Sequence, residues 1–506
     1  MKQGSQRLLI CLLALVLVLP MLAACGEKGN TPSDVTQSGD DSGSTEVTES
    51  PYRDDITQRF PGETVNIVSR SFEWYNKEIV IEEEKDCETA VDKSVFNRRY
   101  MVEDRLGLLL ENHMIDGGGK DGYYVVVNAV RNDQFADTHL YDIAVNNMYH
   151  TMEFAAEGLF QNLQEVPNLD LEKPYYSQYY NQQAVVNNKL YSTTGDASLT
   201  FIRFAFVTFF NKTVQRNNGI DDLYDVVNDK QWTLEYQYEL VKDLYLDKND
   251  NDTVDDGDLF GLVTNSVTGV DPYTSAFQLN MVGRDENGRL VNVIEGNTTY
   301  FTEVITKIIE LYDANGVRVL KHKADDTEFD DARQIFAEDR ALFATLRLDS
   351  CENYTLRDMK SDFGVIPMPM YTEEQGQYYS YCHDLFSVFC ICRRISDKRL
   401  PAVGAAMELL FSHSEDCRHN LFDIALKKKY QRTEEASQML DIIVDNVKLD
   451  AGWIYAGALE DFALNIRSMV QNGTKNFNGI WRAQGTVLIA KIDDLQAAFD
   501  RLEQAG

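Results

Sequence analysis

Basic residues are scarce in this chain. It carries 48 Lys and Arg against 81 Asp and Glu, a formal net charge of −33 over 506 residues. A field of that sign repels phosphates rather than neutralising them, which argues against nucleic acid as a partner. The short motifs of common catalytic machinery are missing too. There is no G-x-S-x-G elbow and no H-E-x-x-H pair, and Gly117-Gly118-Gly119-Lys120 lacks the strand and the trailing Ser or Thr of a Walker loop. Paired carboxylates abound in so acidic a chain and carry almost no information. A secreted glycoside hydrolase stays open for that reason, since its two carboxylates need no local motif. Cysteine is sparse, and the spacing of Cys87, Cys351, Cys382, Cys390, Cys392 and Cys417 matches no zinc framework. These six read as buried free thiols.

Long apolar runs are absent except for one. Lys2 and Arg7 precede Leu8 to Met21, and Leu22-Ala23-Ala24-Cys25-Gly26 comes next. A basic start, an apolar stretch too short to span well, and small residues before a cleavage point describe an export signal over 1–24. The Leu-Ala-Ala-Cys box resembles a bacterial lipobox, which implies lipidation at Cys25 and a place on the outer face of the cell membrane. From Glu27 to about Asp55 the chain is Gly, Ser, Thr, Asp and Glu, so residues 25–57 are expected to be a solvated tether.

The rest of the chain, 58–506, is ordinary in composition, with 44% hydrophobic and 25% charged residues overall, and long enough for more than one core. Thr64 to Ser69 reads as a strand, Ala90 to Leu106 as a helix closed by Gly107, and Leu108 to Glu111 as a second strand. After these come a helix over Tyr124 to Phe135, the strand Tyr141 to Val145 and a short helix within Phe154 to Leu163. The alternation predicts α/β with a largely parallel sheet. In such sheets ligands sit beyond the carboxyl ends of strands, where Trp74, Tyr75, Asn147 and Tyr149 fall. The stretch Asn187 to Lys212 holds a turn at Thr194-Gly195-Asp196 and then Phe201 to Phe210, spaced like a strand. It suits a segment crossing between lobes, or a hairpin within one.

Several pieces together resemble the extracellular solute-binding proteins of bacterial ABC importers, in particular the sugar-binding family 1. They are YDIAV, then AAEGLFQNL, then NNKLYSTTGD with its strand ending Phe210-Asn211-Lys212, where Asn188 replaces a usual Gly and Phe210 a usual Tyr. Further on come Gln231-Trp232-Thr233-Leu234, Arg333 to Leu346 with Asp339-Arg340 in place of Gly-Lys, Phe363 to Pro369, Pro401 to Phe411, and Ala451 to Tyr455. The resemblance implies a type II periplasmic-binding-protein-like fold of two hinge-connected α/β lobes. It puts lobe 1 at about 58–193 and 392–449, and lobe 2 at about 194–391 and 450–506. It also implies a monomer that captures a carbohydrate by lobe closure and delivers it to an ABC permease, with no bond made or broken. Binding of amino acids, peptides or polyamines, or a ligand-sensing role, are the alternatives, and the acidic charge favours polyamine among them. A polyanionic ligand would need Arg70, Arg203 or Arg347 in the cleft.

A sugar site needs stacking rings and bidentate polar groups. The candidates are Trp74, Tyr75, Asn147 and Tyr149 in the first lobe, with Asp196 and Arg203 at the first crossing. Arg347 and Asp349 end a strand, Tyr379, Tyr381 and His383 lie near the second crossing, and Trp453 and Tyr455 match the position of stacking aromatics in the family. Trp232 is assigned to packing. Separately, Asp247, Asn249, Asn251, Thr253, Asp255 and Asp258 supply oxygens with EF-hand spacing, which predicts a structural Ca²⁺ outside the cleft. Asp252 stands where that loop wants Gly, and Asp258 where it wants Glu. Both weaken such a site.

Overall fold

Thr89 starts the first long helix where the sequence places it. Its hydroxyl accepts from the Asp92 N–H while the Asp92 carboxylate takes the Thr89 N–H, and Gly107 closes the helix Ala90–Leu106 in the left-handed region at φ 69°. The computed structural model describes residues 54–118, 120–323, 327–427 and 434–505. The expected export signal, Cys25 and the tether up to residue 53 lie outside the described residues.

Among these are the strands β1 (Thr64–Ser71), β2 (Leu109–Asp116), β3 (Ile143–Asn147), β4 (Phe206–Asn211), β5 (Tyr245–Leu246), β6 (Leu259–Asn265), β7 (Val282–Arg284), β8 (Leu290–Asn292), β9 (Val317–Leu320), β10 (Ala341–Arg347), β11 (Phe363–Ile366) and β12 (Ser387–Ile391). One sheet has the order β12-β3-β1-β2, a second has β11-β4-β10-β6-β5 with β9 also on β6, and β7 and β8 form a separate two-stranded sheet. In the first, β1 pairs in parallel with β2 and β3, and β12 is antiparallel to β3. In the second, β6 is parallel to β9 and β10, while β4 runs against β10 and β11. Helices cover both, as buried near-continuous apolar strands require. This is the expected mixed α/β, two-lobe architecture. One detail differs: β2 extends to Asp116, so a strand does precede Gly117.

The chain passes between the sheets along Asn187 to Lys212, so this stretch is a crossing rather than a hairpin. Thr193 bridges Phe389 in β12, Ala205 bridges Cys382, and β4 then enters the second sheet. The single strand expected over Phe201 to Phe210 is two elements, a helical turn Leu199–Arg203 and then β4. Ser198 causes the difference, because its hydroxyl accepts from the Phe201 N–H and caps the turn. Gly195 is required there, since a Cβ would lie 2.2 Å from the Tyr175 carbonyl oxygen. Residues Tyr381 to Ser387 return alongside it, with the Phe206 N–H donating to Tyr381 O at 2.8 Å.

Between the two crossings one carboxylate is buried. Glu78 accepts the Thr200 N–H and hydroxyl, both at 2.7 Å, and the hydroxyls of Ser198 (3.3 Å) and Ser387 (2.5 Å). Burial raises its pKa and these hydrogen bonds oppose the rise. The last helix, Phe477–Ala505, clips both sides: Gln496 accepts from Leu290 N–H beside β8 and donates to Asn187 at 2.5 Å. The helix Glu434–Asp445, expected with the first lobe, packs on β11 of the second sheet. Among the described residues no helix is long and apolar enough to cross a membrane.

Glu78→Ala leaves a buried N–H and three hydroxyls short of an acceptor, at about 1–3 kcal/mol for each group left unpaired. We expect a loss of at least ~3 kcal/mol in urea unfolding, with Glu78→Gln losing less. A Glu78→Ala protein within ~0.5 kcal/mol of the parent would mean that other contacts hold the crossings.

Candidate ligand-binding site

The carboxyl ends of both sheets lead to one place. β1, β2 and β3 end at Ser71, Asp116 and Asn147, with Phe72, Tyr75, Gly117 and Tyr149 just beyond. β6 and β10 end at Asn265 and Arg347, and Asp271 and Asp349 come after them. The returning segment runs between them. Tyr149 N–H donates to Asp384 O at 3.1 Å, and His383 N–H to Phe204 O at 3.0 Å.

The walls are rings and ions. Tyr75 meets Phe204 edge-on at 6.3 Å, and its hydroxyl donates to Leu385 O. The Arg70 guanidinium lies over the rings of Phe72 (4.8 Å), Tyr75 (5.0 Å) and Tyr123 (4.4 Å). Tyr123 stacks on His150 at 4.7 Å, and the Tyr149 hydroxyl donates to Asp461 at 2.7 Å. On the opposite side Arg347 lies 4.5 Å over Phe204 and pairs with Asp349 at 2.7 Å, while Arg467 forks onto Asp271. Burial, then Arg70, pushes His150 down to about 4. Burial, then Asp271, pushes Asp384 up to about 7, with Arg467 opposing. Four polar atoms here are buried without a partner: Arg347 Nε, Asp349 Oδ1, Tyr381 OH and His383 Nδ1. Such atoms cost about 1–3 kcal/mol each unless something binds them, so the arrangement suits a polar guest with a flat apolar face.

No family model matches the chain, and no curated protein does. Among solved structures, a family 1 extracellular solute-binding protein from Bifidobacterium longum subsp. infantis superposes with a TM-score of 0.51 at 14% identity, over 85% of this chain and 99% of that one. The chain has the fold of a family 1 extracellular solute-binding protein. The apo form of RafE from Streptococcus pneumoniae is similar at TM-score 0.48 and 15% identity, over 88% and 99% of the two chains. An ABC substrate-binding protein from Listeria monocytogenes, in complex with cycloalternan, gives 0.47 and 12%, over 87% and 99%.

Within this solute-binding fold the expected site residues divide. Tyr75, Tyr149, Arg347, Asp349 and His383 come together at the strand ends. Tyr381 and Trp453 form the packed floor beneath: their rings meet at 5.3 Å, and the Trp453 N–H is spent on the Thr274 hydroxyl at 3.1 Å. Trp453 therefore offers no free face for stacking, which corrects that expectation. Tyr455 is corrected likewise, since it is fully buried with its hydroxyl on Ala184 O at 2.7 Å. Asn147 is a helix cap, its side chain accepting from His150 N–H. Arg203 forks onto Glu352 at 2.8 and 3.1 Å beside a cavity of about 520 Å³ that also has Asn76 and Lys77 in its wall. Asp196 pairs with Arg418 at 3.3 Å in a different recess, and Tyr379 packs edge-on against Tyr179 at 6.0 Å, with Lys448 over its ring. Trp74 belongs to the turn Glu73–Lys77, and its side chain lies outside the described residues.

Sequence reasoning missed Tyr123, Asp271, Asp461 and Arg467. Asp271 and Arg467 are 196 residues apart, and Tyr149 and Asp461 are 312 apart, so no local pattern couples them. The loop Asp247 to Asp258 uses its oxygens on itself. Asp247 accepts from the Asn251 and Asp252 N–H groups, Asp255 from the Asn249 and Asn251 amides, and buried Asp258 from the Tyr245 hydroxyl. Among the described residues no group of three His, Cys, Asp or Glu is placed to hold a metal.

Asp384 carries a sign-definite pH dependence. Its folded pKa, about 7, is above the ordinary 3.8, so its contribution to stability is complete below about pH 4 and is lost as pH rises through about 7. Asp384→Asn should flatten the fall in unfolding midpoint between pH 5 and pH 8. An unchanged slope would overturn this assignment.

Proposed function

We propose that the chain is an extracytoplasmic binding lipoprotein that captures a carbohydrate between its two lobes and presents it to an ABC permease. The observation that carries this reading is the group of buried polar atoms without a described partner on Arg347, Asp349 and His383, around Phe204 where the strands end. Sugar hydroxyls satisfy such donors and acceptors in pairs, while the C–H face of the ring lies on the aromatic rings. The lobes close around the ligand by bending at the two crossings, which selects the closed state. No residue is assigned a catalytic role. Arg347 and Asp349 orient hydroxyls, Tyr75 supplies a face, and His383, held neutral by burial, then by Arg347 and Arg467, offers a ring nitrogen.

The anchor belongs to the same proposal and rests on the Leu22-Ala23-Ala24-Cys25 box. Cys25→Ser is expected to abolish acyl labelling and release the protein from the membrane fraction. A structural Ca²⁺ in the Asp247 to Asp258 loop is supported by spacing alone, against a closed set of internal hydrogen bonds. A Ca²⁺-dependent rise in unfolding midpoint that Asp247→Asn removes would establish it; no rise leaves the loop a hydrogen-bonded turn.

The capture reading is tested by thermal unfolding against oligosaccharides, amino acids, peptides and polyamines. One saccharide series should raise the midpoint by several degrees, and Tyr75→Ala should lower affinity at least tenfold. Stabilisation by amines or peptides alone would overturn the carbohydrate assignment. Hydrolysis of a bound saccharide would replace it with an enzyme.

A further inference from the structure

Two arginines of this protein are buried alike, each 2% exposed, and neither meets a carboxylate among the described residues: Arg70 and Arg98. Their surroundings differ. Arg98 spreads Nη1 and Nη2 over four acceptors, Ser414 Oγ (2.8 Å), Ala197 O (3.4 Å), Glu78 O (2.7 Å) and Ile79 O (3.0 Å), while its Nε has no partner among the described residues. It is a brace between segments. Arg70 turns both Nε (3.1 Å) and Nη2 (2.8 Å) onto one acceptor, Gly117 O, and its Nη1 donates to no described group. Gly117 makes that approach possible, because a Cβ there would lie 2.3 Å from Arg70 Cγ.

The remaining surroundings of Arg70 are ring faces. Phe72, Tyr75 and Tyr123 lie within 5.0 Å of the guanidinium carbon, and the neighbouring His150 adds no negative charge. Cation–π contacts offset only part of the cost of removing a charge from water. Among the described residues this cation has no counter-ion. On the opposite wall Arg347 sits over Phe204, whose ring meets Tyr75, and its Nε is also without a partner. Each sheet thus contributes one guanidinium at the end of a continuous aromatic bridge. Arg203, by contrast, is already forked onto Glu352.

We propose that the captured solute is an anionic saccharide, with its carboxylate or sulfate taken by Arg70 Nη1 and its ring laid on the Tyr75–Phe204 bridge towards Arg347. This rests on the capture reading above. The charge of −33 does not oppose it, because exposed charges are screened beyond about 8 Å at physiological salt while a buried ion acts at contact. Asp271 and Asp349 are matched by Arg467 and Arg347, so they do not cancel Arg70.

The test is calorimetric titration of the purified protein with trigalacturonate, its carboxyl-reduced neutral counterpart, a sulfated disaccharide and maltotriose. An acidic ligand should bind at least tenfold tighter than its neutral counterpart, and the carboxylate and sulfate arms identify which anion is read. Arg70→Lys keeps the charge and loses the fork, and should cut the ratio of acidic to neutral affinity at least tenfold. Equal or tighter binding of the neutral sugars overturns the anionic assignment and leaves saccharide capture standing. Binding of no saccharide of either kind overturns both. If Arg70→Lys fails to fold, the pair of acid and reduced ligands on the parent protein still decides.

Discussion

The structure turns on a carboxylate buried where the chain changes sheets twice. Glu78 takes hydrogen bonds from the outgoing crossing through Ser198 and Thr200 and from the returning one through Ser387, and Ser387 N–H in turn donates to the Thr200 hydroxyl at 2.8 Å. Without these donors the ion would be driven to its neutral form by desolvation. With them it ties the helical turn of the outgoing crossing to the start of β12 on the returning one. Everything at the strand ends inherits its position from that join, because Phe204, His383 and Asp384 lie on the same two segments, a few residues away.

The polar chamber is the reverse case. Glu78 is surrounded by donors, whereas Arg347, Asp349, Tyr381 and His383 each keep one buried atom without a partner. A core built for stability would not leave them so. Other buried polar atoms without a described partner lie within the second sheet, on Thr264, Asn265 and Thr345, but Arg347 and His383 are the ones set against Phe204 at the strand ends. Electrostatics obey the same division. Burial and neighbouring ions keep His150 and His383 neutral, and raise Asp384 towards neutrality, so the strongest fixed charges there are arginines.

Much of the architecture was legible along the chain. The period of the helix Ala90–Leu106, its Gly107 stop, the apolar β1 and β3 and the turn at Gly195 are local patterns. Ser198 was a missed signal of the same local kind: a cap just before an apolar run, read as strand because Phe and Val dominate residues 201–210. The candidate site was legible only where a residue's place at a strand end implied it, as for Tyr75, Tyr149 and Arg347. Trp453 and Tyr455 rest on the family resemblance, and burial against Tyr381 and Ala184 shows them spent on packing.

The sequence by itself determined the alternation of strands and helices, the net charge, the export-like start and the absence of local catalytic motifs, since each is written in neighbouring residues. Only the tertiary structure decided which charges are matched. Asp271 with Arg467, Tyr149 with Asp461 and Arg203 with Glu352 are joined across 196, 312 and 149 residues, while Arg70 meets no carboxylate among the described residues. Pairing depends on distance in space and on the loss of water, and neither quantity has a local trace in a linear chain.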